Sequence, residues 1–247
     1  VGLEVQEFKN IMNTKVILIT GKAQSGKDTT GDFLMKHINA FEESRRLVES
    51  VFERKYVPDS CEKYSFATAL KNIAVELFDI PRNQVWGSNA EKDQLTHIKW
   101  ADLKNVIGIG DDKDWFEKVY RISPDTEFMT GRQFLQFFGS EIIRKLYGNA
   151  WVSRTFKDIV QQAPVYAFVC DVRFKNEIDF FIEKGIDPIV VRLERNPLDM
   201  QHISETALDD YDWKKLKHYY PIPNQNWTWE EKDAYLRNVI LPVILAK

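Results

Sequence analysis

Val16–Thr30 reads VILITGKAQSGKDTT, and this stretch decides the fold. Val16, Ile17, Leu18 and Ile19 form a continuous apolar run that reads as a strand buried on both faces, and Phe33, Leu34 and Ile38 follow at helical spacing. Between the two, Gly21 and Gly26 bound a tight turn that ends in Lys27. In a turn of this spacing the backbone N–H groups point inward around a polyphosphate. The helix behind it contributes the positive end of its dipole, and the lysine reaches the β- and γ-oxygens. Gly21, Lys22, Ser25, Gly26 and Lys27 are the residues placed around such an anion. An ordinary glycine turn is the alternative, and the flanking strand and helix argue against it.

Asp28 breaks the usual pattern of the loop, whose Ser or Thr hydroxyl at that place meets Mg²⁺. A carboxylate there can hold the metal directly or through water, because Mg²⁺ takes oxygen ligands and keeps part of its hydration. It also suits the first helical turn, where the dipole favours negative charge.

The chain has 247 residues, enough for one large α/β domain or two small ones, and the lack of a flexible linker points to a single domain. Its 34 basic and 37 acidic residues give a formal net charge of −3, which excludes the basic profile of a duplex nucleic-acid binder. Cys61 and Cys170 lack metal-ligand spacing and read as buried reduced thiols of a cytoplasmic protein. No apolar run of membrane-spanning length interrupts the sequence, so no membrane partner is expected. Residues 1–14 read as a loose arm, with Met12 directly before the first strand.

Strand and helix alternate along the chain, as they do in a mostly parallel sheet covered on both faces. The expected fold is therefore a three-layer α/β/α P-loop NTPase fold with a helical substrate-binding insertion. The pattern predicts strands at Lys15–Thr20, Lys63–Phe66, Val165–Cys170, Pro188–Leu193 and Tyr219–Ile222. It predicts helices at Lys27–Ala40, Ala67–Phe78, Gly131–Tyr147, Trp151–Gln161, Arg173–Lys184 and Trp229–Leu245. The stretch 81–127, rich in Asp, Asn and Trp, reads as an insertion with one helix near Leu95–Val106.

Three further groups can carry chemistry. Asp171 and Arg173 end the second buried strand, at the sheet edge to which the first strand delivers Lys27. There an Asp can hold Mg²⁺ and an Arg can grip phosphate, although the two can also form a structural pair that caps the next helix. Arg132, Gln136 and Gly139 share a stripe of the 131–147 helix, with Glu141 and Arg144 beyond, and Lys71 belongs to the same class. Such a stripe lines a nucleotide pocket or faces solvent. Arg192 and Arg195, followed by His202, Ser204 and Glu205, lie in a lid-like segment, 192–215, whose arginines can neutralise charge on a transferred group.

Taken in order, GKAQSGKDTT, SFATALK, GRQFLQFFGSEIIR with Trp151 downstream, CDVRFKNEID, RLERN and HISETAL resemble the deoxynucleoside monophosphate kinases of tailed bacteriophages, within the wider P-loop nucleoside monophosphate kinase group. The likeness runs from about Lys15 to the last helix and makes Asp28 a family trait. It implies transfer of the ATP γ-phosphoryl group to a deoxynucleoside monophosphate, with Mg²⁺, in a homodimer, in the host cytoplasm if the protein is phage-encoded. Lys27 and Thr29 would hold the donor phosphates, with Asp28 and Asp171 as metal ligands and Arg173 and Arg195 acting on the transferred group. Lys71, Arg132, Gln136, Arg144 and Trp151 would serve the acceptor, and Asn224 would lie near the donor adenine. The stretches 81–127 and 211–229 match the family poorly. Two alternatives stay open: another small-molecule phosphate kinase with this loop, such as a phosphomevalonate kinase, and a nucleotide-gated ATPase or binding protein.

Overall fold

The computed structural model describes residues 13–49, 60–104, 127–195 and 203–246. The arm up to residue 12, part of the expected insertion (105–126) and residues 196–202 of the expected lid, with His202, lie outside the described residues. In chain order the main elements are β1 (Lys15–Gly21), α1 (Lys27–Glu49), β2 (Cys61–Tyr64), α2 (Ala67–Glu76), β3 (Leu95–Lys99), β4 (Phe128–Thr130), α3 (Gly131–Gln136), α4 (Ala150–Gln162), β5 (Tyr166–Val172), α5 (Lys175–Glu183), β6 (Ile189–Leu193), β7 (His218–Ile222) and α6 (Trp229–Tyr235). The chain, read from its sequence as one domain, divides into two compact units. Unit 1 holds 1–65, 155–199 and 207–247, and unit 2 holds 66–154 and 200–206.

Unit 1 is built on a five-stranded sheet in the order β2-β5-β1-β6-β7, and every pairing in it is parallel. The central β1 is buried on both faces, as its unbroken apolar run requires. Ile17, Ile19, Phe168, Cys170 and Val191 point to one face, where Leu34 and Ile38 of α1 join Leu236, Ile240 and Ile244 of the C-terminal helical segment in one core. Val16, Leu18, Ala167, Val169 and Val190, of opposite parity, are equally buried on the other face. The rings of Phe156 in α4 and of Phe180 and Phe181 in α5 meet edge to face. Thr14 is buried and donates to the Pro164 carbonyl at 2.7 Å, so the end of the N-terminal arm is fastened to the sheet rather than loose.

Unit 2 carries the antiparallel pair β3–β4 and a set of short helices. Leu95–Lys99, expected within a helix, is a strand, and a helical turn follows only at Trp100–Lys104. The partner that makes it a strand, Phe128–Thr130, lies some thirty residues away and leaves no trace in local periodicity. After α3 the helix widens into a π-helical stretch, Phe137–Ile143, before a last α turn at Arg144–Leu146. Each widened turn takes an extra residue. The buried face is therefore Phe134, Phe137, Phe138, Glu141 and Ile142, whereas Leu146, which regular spacing of 3.6 residues per turn would place with Phe138 and Ile142, is 78% exposed.

Candidate functional site

The loop between β1 and α1 has the shape its glycines allow. Gly21 (φ 145°) and Gly26 (φ 96°) occupy positive-φ conformations that bend the chain around its own amides. A Cβ at Gly21 would stand 2.6 Å from the Leu193 carbonyl oxygen, so only glycine lets β1 pass β6 there. Lys27 opens α1, is 7% exposed, and turns its ammonium back to the carbonyls of Gly21 and Lys22 at 2.7 and 2.8 Å. Burial, and then the charge of Arg173, push Lys27 down to about 7, against the opposing pull of Asp28, Asp171 and Cys170. No carboxylate among the described residues forms an ion pair with it. The Ser25 hydroxyl, 2% exposed, is a buried oxygen without a hydrogen-bond partner. A confined cation, inward-bent amides and an orphaned hydroxyl on one turn are the donor set a polyphosphate satisfies.

The carboxylates next to the loop are already partnered. Asp28 lies at the exposed start of α1 and meets the Lys63 ammonium at 3.0 Å; Asp32, one turn on, meets the same nitrogen at 2.9 Å. Burial opposes the charge on Lys63, but Asp32 and Asp28 outweigh it and hold the ammonium above the usual lysine range. Asp171, near the end of β5, accepts from the Ser65 hydroxyl at 2.6 Å. Among the described residues no three His, Cys, Asp or Glu side chains stand together as a metal site, so a Mg²⁺ ion held here would need further oxygens from phosphate and water. Asp28 and Asp171 supply the oxygen chemistry Mg²⁺ prefers.

The turn that presents Arg173 is capped by Glu177. The buried Glu177 carboxylate accepts from the backbone N–H groups of Arg173 and Phe174 at 2.7 and 2.9 Å. The Thr20 hydroxyl donates to the Val172 carbonyl at 2.9 Å and ties the same turn to β1. Cys170, just before, is unpaired and buried, and burial pushes its thiol up to about 12, far from a reactive thiolate.

Asn224, which follows β7, braces the loop: its amide donates to the Ser25 carbonyl at 3.2 Å and accepts from the Arg195 N–H at 3.0 Å. Lys22 makes a two-oxygen salt bridge to Asp209, at 2.6 and 2.8 Å. Thr29 is exposed on the first turn of α1. Arg192 lies against the Trp213 ring at 4.7 Å. Lys63, Ser65, Glu177 and Lys232 were all missed in the sequence reading. The first two lie at a strand end facing the loop. Glu177 follows Phe174 at capping-box spacing, the one local signal available.

The acceptor candidates lie in unit 2. Arg132 donates to Asp93 at 2.7 Å and to Asn89 at 2.9 Å, and the Lys71 ammonium stands 4.4 Å from the centre of the Trp86 ring. Gln136 and Arg144 are partly exposed on either side of the π-helical stretch. Gly139, assigned to their stripe, is instead buried: a Cβ there would come within 2.7 Å of Leu70. The widened turns carry it off the polar face. Trp151 is buried and donates its indole N–H to the Gly139 carbonyl at 3.2 Å, so it holds a carbonyl within the π-helical stretch.

Comparison with known proteins adds two findings. The family model described as "Deoxynucleotide monophosphate kinase" matches residues 15–213. A curated protein of Acanthamoeba polyphaga mimivirus, provisionally named a deoxynucleotide monophosphate kinase, is 24% identical over 230 residues, covering 87% of this chain and 91% of the relative.

Proposed function

Since the chain belongs to the deoxynucleotide monophosphate kinase family, and is thus a phosphotransferase acting on deoxynucleoside monophosphates, we propose that the loop of unit 1 is its ATP site and that Mg²⁺ accompanies the donor. The observation that carries this is Lys27, a buried ammonium held, among the described residues, by the carbonyls of its own loop. The family match favours a nucleotide acceptor over phosphomevalonate or slow ATP hydrolysis.

Transfer of a phosphoryl group to an already ionised phosphate asks the protein for positioning and charge stabilisation, not for a strong base. The inward amides of residues 21–27 and Lys27 bind the donor phosphates. Arg173, fixed by Glu177 and Thr20, brings a guanidinium close enough to be felt at Lys27, where it stabilises charge on the transferred group. Asp28 and Asp171 would hold Mg²⁺, directly or through water, and the bound ion would supply charge screening at the phosphate oxygens. Arg132, Gln136, Arg144 and Lys71 recognise the acceptor, and Arg195 stabilises charge on the transferred group.

The test is an ADP-release assay with ATP, Mg²⁺ and each deoxynucleoside monophosphate in turn. Turnover with at least one of them is expected. Lys27→Ala should lower kcat by orders of magnitude, and Arg173→Ala should mainly weaken use of the acceptor. Wild-type kinetics in either variant would remove that residue from the site. A homodimer, and a place in the cytoplasm of an infected cell, are supported by the likeness to phage kinases and the viral relative. Sedimentation at a monomer mass, or activity confined to a membrane pellet, would oppose them.

A further inference from the structure

Lys232 belongs to none of the motifs, yet it stands at the loop. It is the fourth residue of α6, and it is 6% exposed. Its ammonium lies 5.1 Å from the centre of the Trp229 ring and would be 3.1 Å from a Cβ placed on Gly26. Among the described residues no oxygen accepts a hydrogen bond from it. Burial, and then the charge of Arg195, push its ammonium below the usual lysine range. A buried ammonium beside a guanidinium, with no acid paired to it among the described residues, is unfavourable until an anion joins them. A second observation points the same way: the neighbouring residue of the loop, Ser25, keeps a buried hydroxyl without a partner.

We propose that Lys232 is a second cation of the donor-phosphate site, binding a phosphate oxygen of the nucleotide at the Gly26 edge of the loop while Lys27 serves the end at Gly21 and Lys22. This rests on the reading of the loop as the ATP site and adds to it a binding residue from the far C-terminal end of the chain. A Cβ on Gly26, already strained at φ 96°, would also crowd this ammonium at 3.1 Å.

Calorimetric titration of ADP and of adenosine into the wild type, Lys27→Met, Lys232→Met and Lys232→Arg tests this. Lys232→Met should weaken ADP by about ten- to a hundredfold, the range of one charge-assisted hydrogen bond, and leave adenosine unchanged; Lys232→Arg should recover part of the loss. Lys232→Met should melt no lower than the wild type, because it removes an unpaired buried charge. Unchanged ADP binding in Lys232→Met, with binding lost in Lys27→Met, would overturn the role of Lys232 and leave the donor site standing. Equal losses for ADP and adenosine would also overturn it, by showing a structural effect. A wild type that binds no ADP would overturn the donor site itself.

Discussion

Nucleotide binding at the loop should draw a proton from solution, and Lys27 sets the amount. Its ordinary value of 10.5 falls to about 7 in the folded chain, through burial first and Arg173 second. Donor phosphates against the ammonium favour its charged form and raise the value again. At pH 8 about nine in ten Lys27 side chains are neutral before binding, so close to one proton is taken up per nucleotide; at pH 6 uptake falls to about a tenth. ADP affinity should consequently weaken by about tenfold per pH unit above 7, until the pH passes the value in the complex. The terminal phosphate of ADP, with a second pKa near 6, is already ionised there and supplies no compensating uptake. The assay is calorimetric titration of ADP at pH 8 in two buffers of different ionisation enthalpy, HEPES and Tris, with Lys27→Met alongside. Absence of proton uptake at pH 8, or the same uptake in Lys27→Met, would refute the reasoning. The same shift bears on stability. Between about 7 and 10.5 the unfolded chain holds the proton and the folded chain does not, so the folded state gains stability as pH rises through that window and carries the full cost below it. Lys27→Met removes a penalty of at most about 5 kcal/mol and should melt above the wild type at pH 7.

Three substitutions probe the frame around the loop. Gly21→Ala meets the Leu193 carbonyl at 2.6 Å in a positive-φ conformation, so it should abolish ADP binding and lower the melting temperature; binding like the wild type would show that the loop tolerates a Cβ. Asn224→Leu cuts the brace between Ser25 and Arg195 and should cost about 1–3 kcal/mol in urea unfolding, with a raised KM for ATP; an unchanged KM would confine Asn224 to folding. Glu177→Ala frees the N–H groups of Arg173 and Phe174 and should cost about 1–2 kcal/mol and lower kcat, measured by unfolding and steady-state kinetics. An unaltered kcat would show that Arg173 is positioned without this cap.

Local pattern was legible wherever one element contained its own signal. The apolar run of β1, the glycines of the loop and the strand-helix alternation led to the parallel sheet because burial on both faces demands apolar residues at every position of a central strand. The helix at Lys27 runs on to Glu49 rather than ending near Ala40, since FEESRRLVE contains no breaker to stop it. The π-helical stretch at 137–143 hid itself, because a reading at 3.6 residues per turn finds an apolar stripe whether or not the turns are widened. It misplaced Gly139 and Leu146 as a result.

By itself the sequence determined a phosphate-cradling loop between a buried strand and a helix, and the family to which that loop and its companion motifs belong, since both depend on residues adjacent in the chain. Only the tertiary structure decided what surrounds the loop. It set Lys63 on Asp28 and Asp32, Asn224 on Ser25, and Lys232 beside Gly26, contacts made across as many as 206 positions of sequence by the parallel order of the strands. A lysine on an amphipathic helix looks the same whether it faces water or a neighbouring loop. Burial separates the two, and burial belongs to the packed chain.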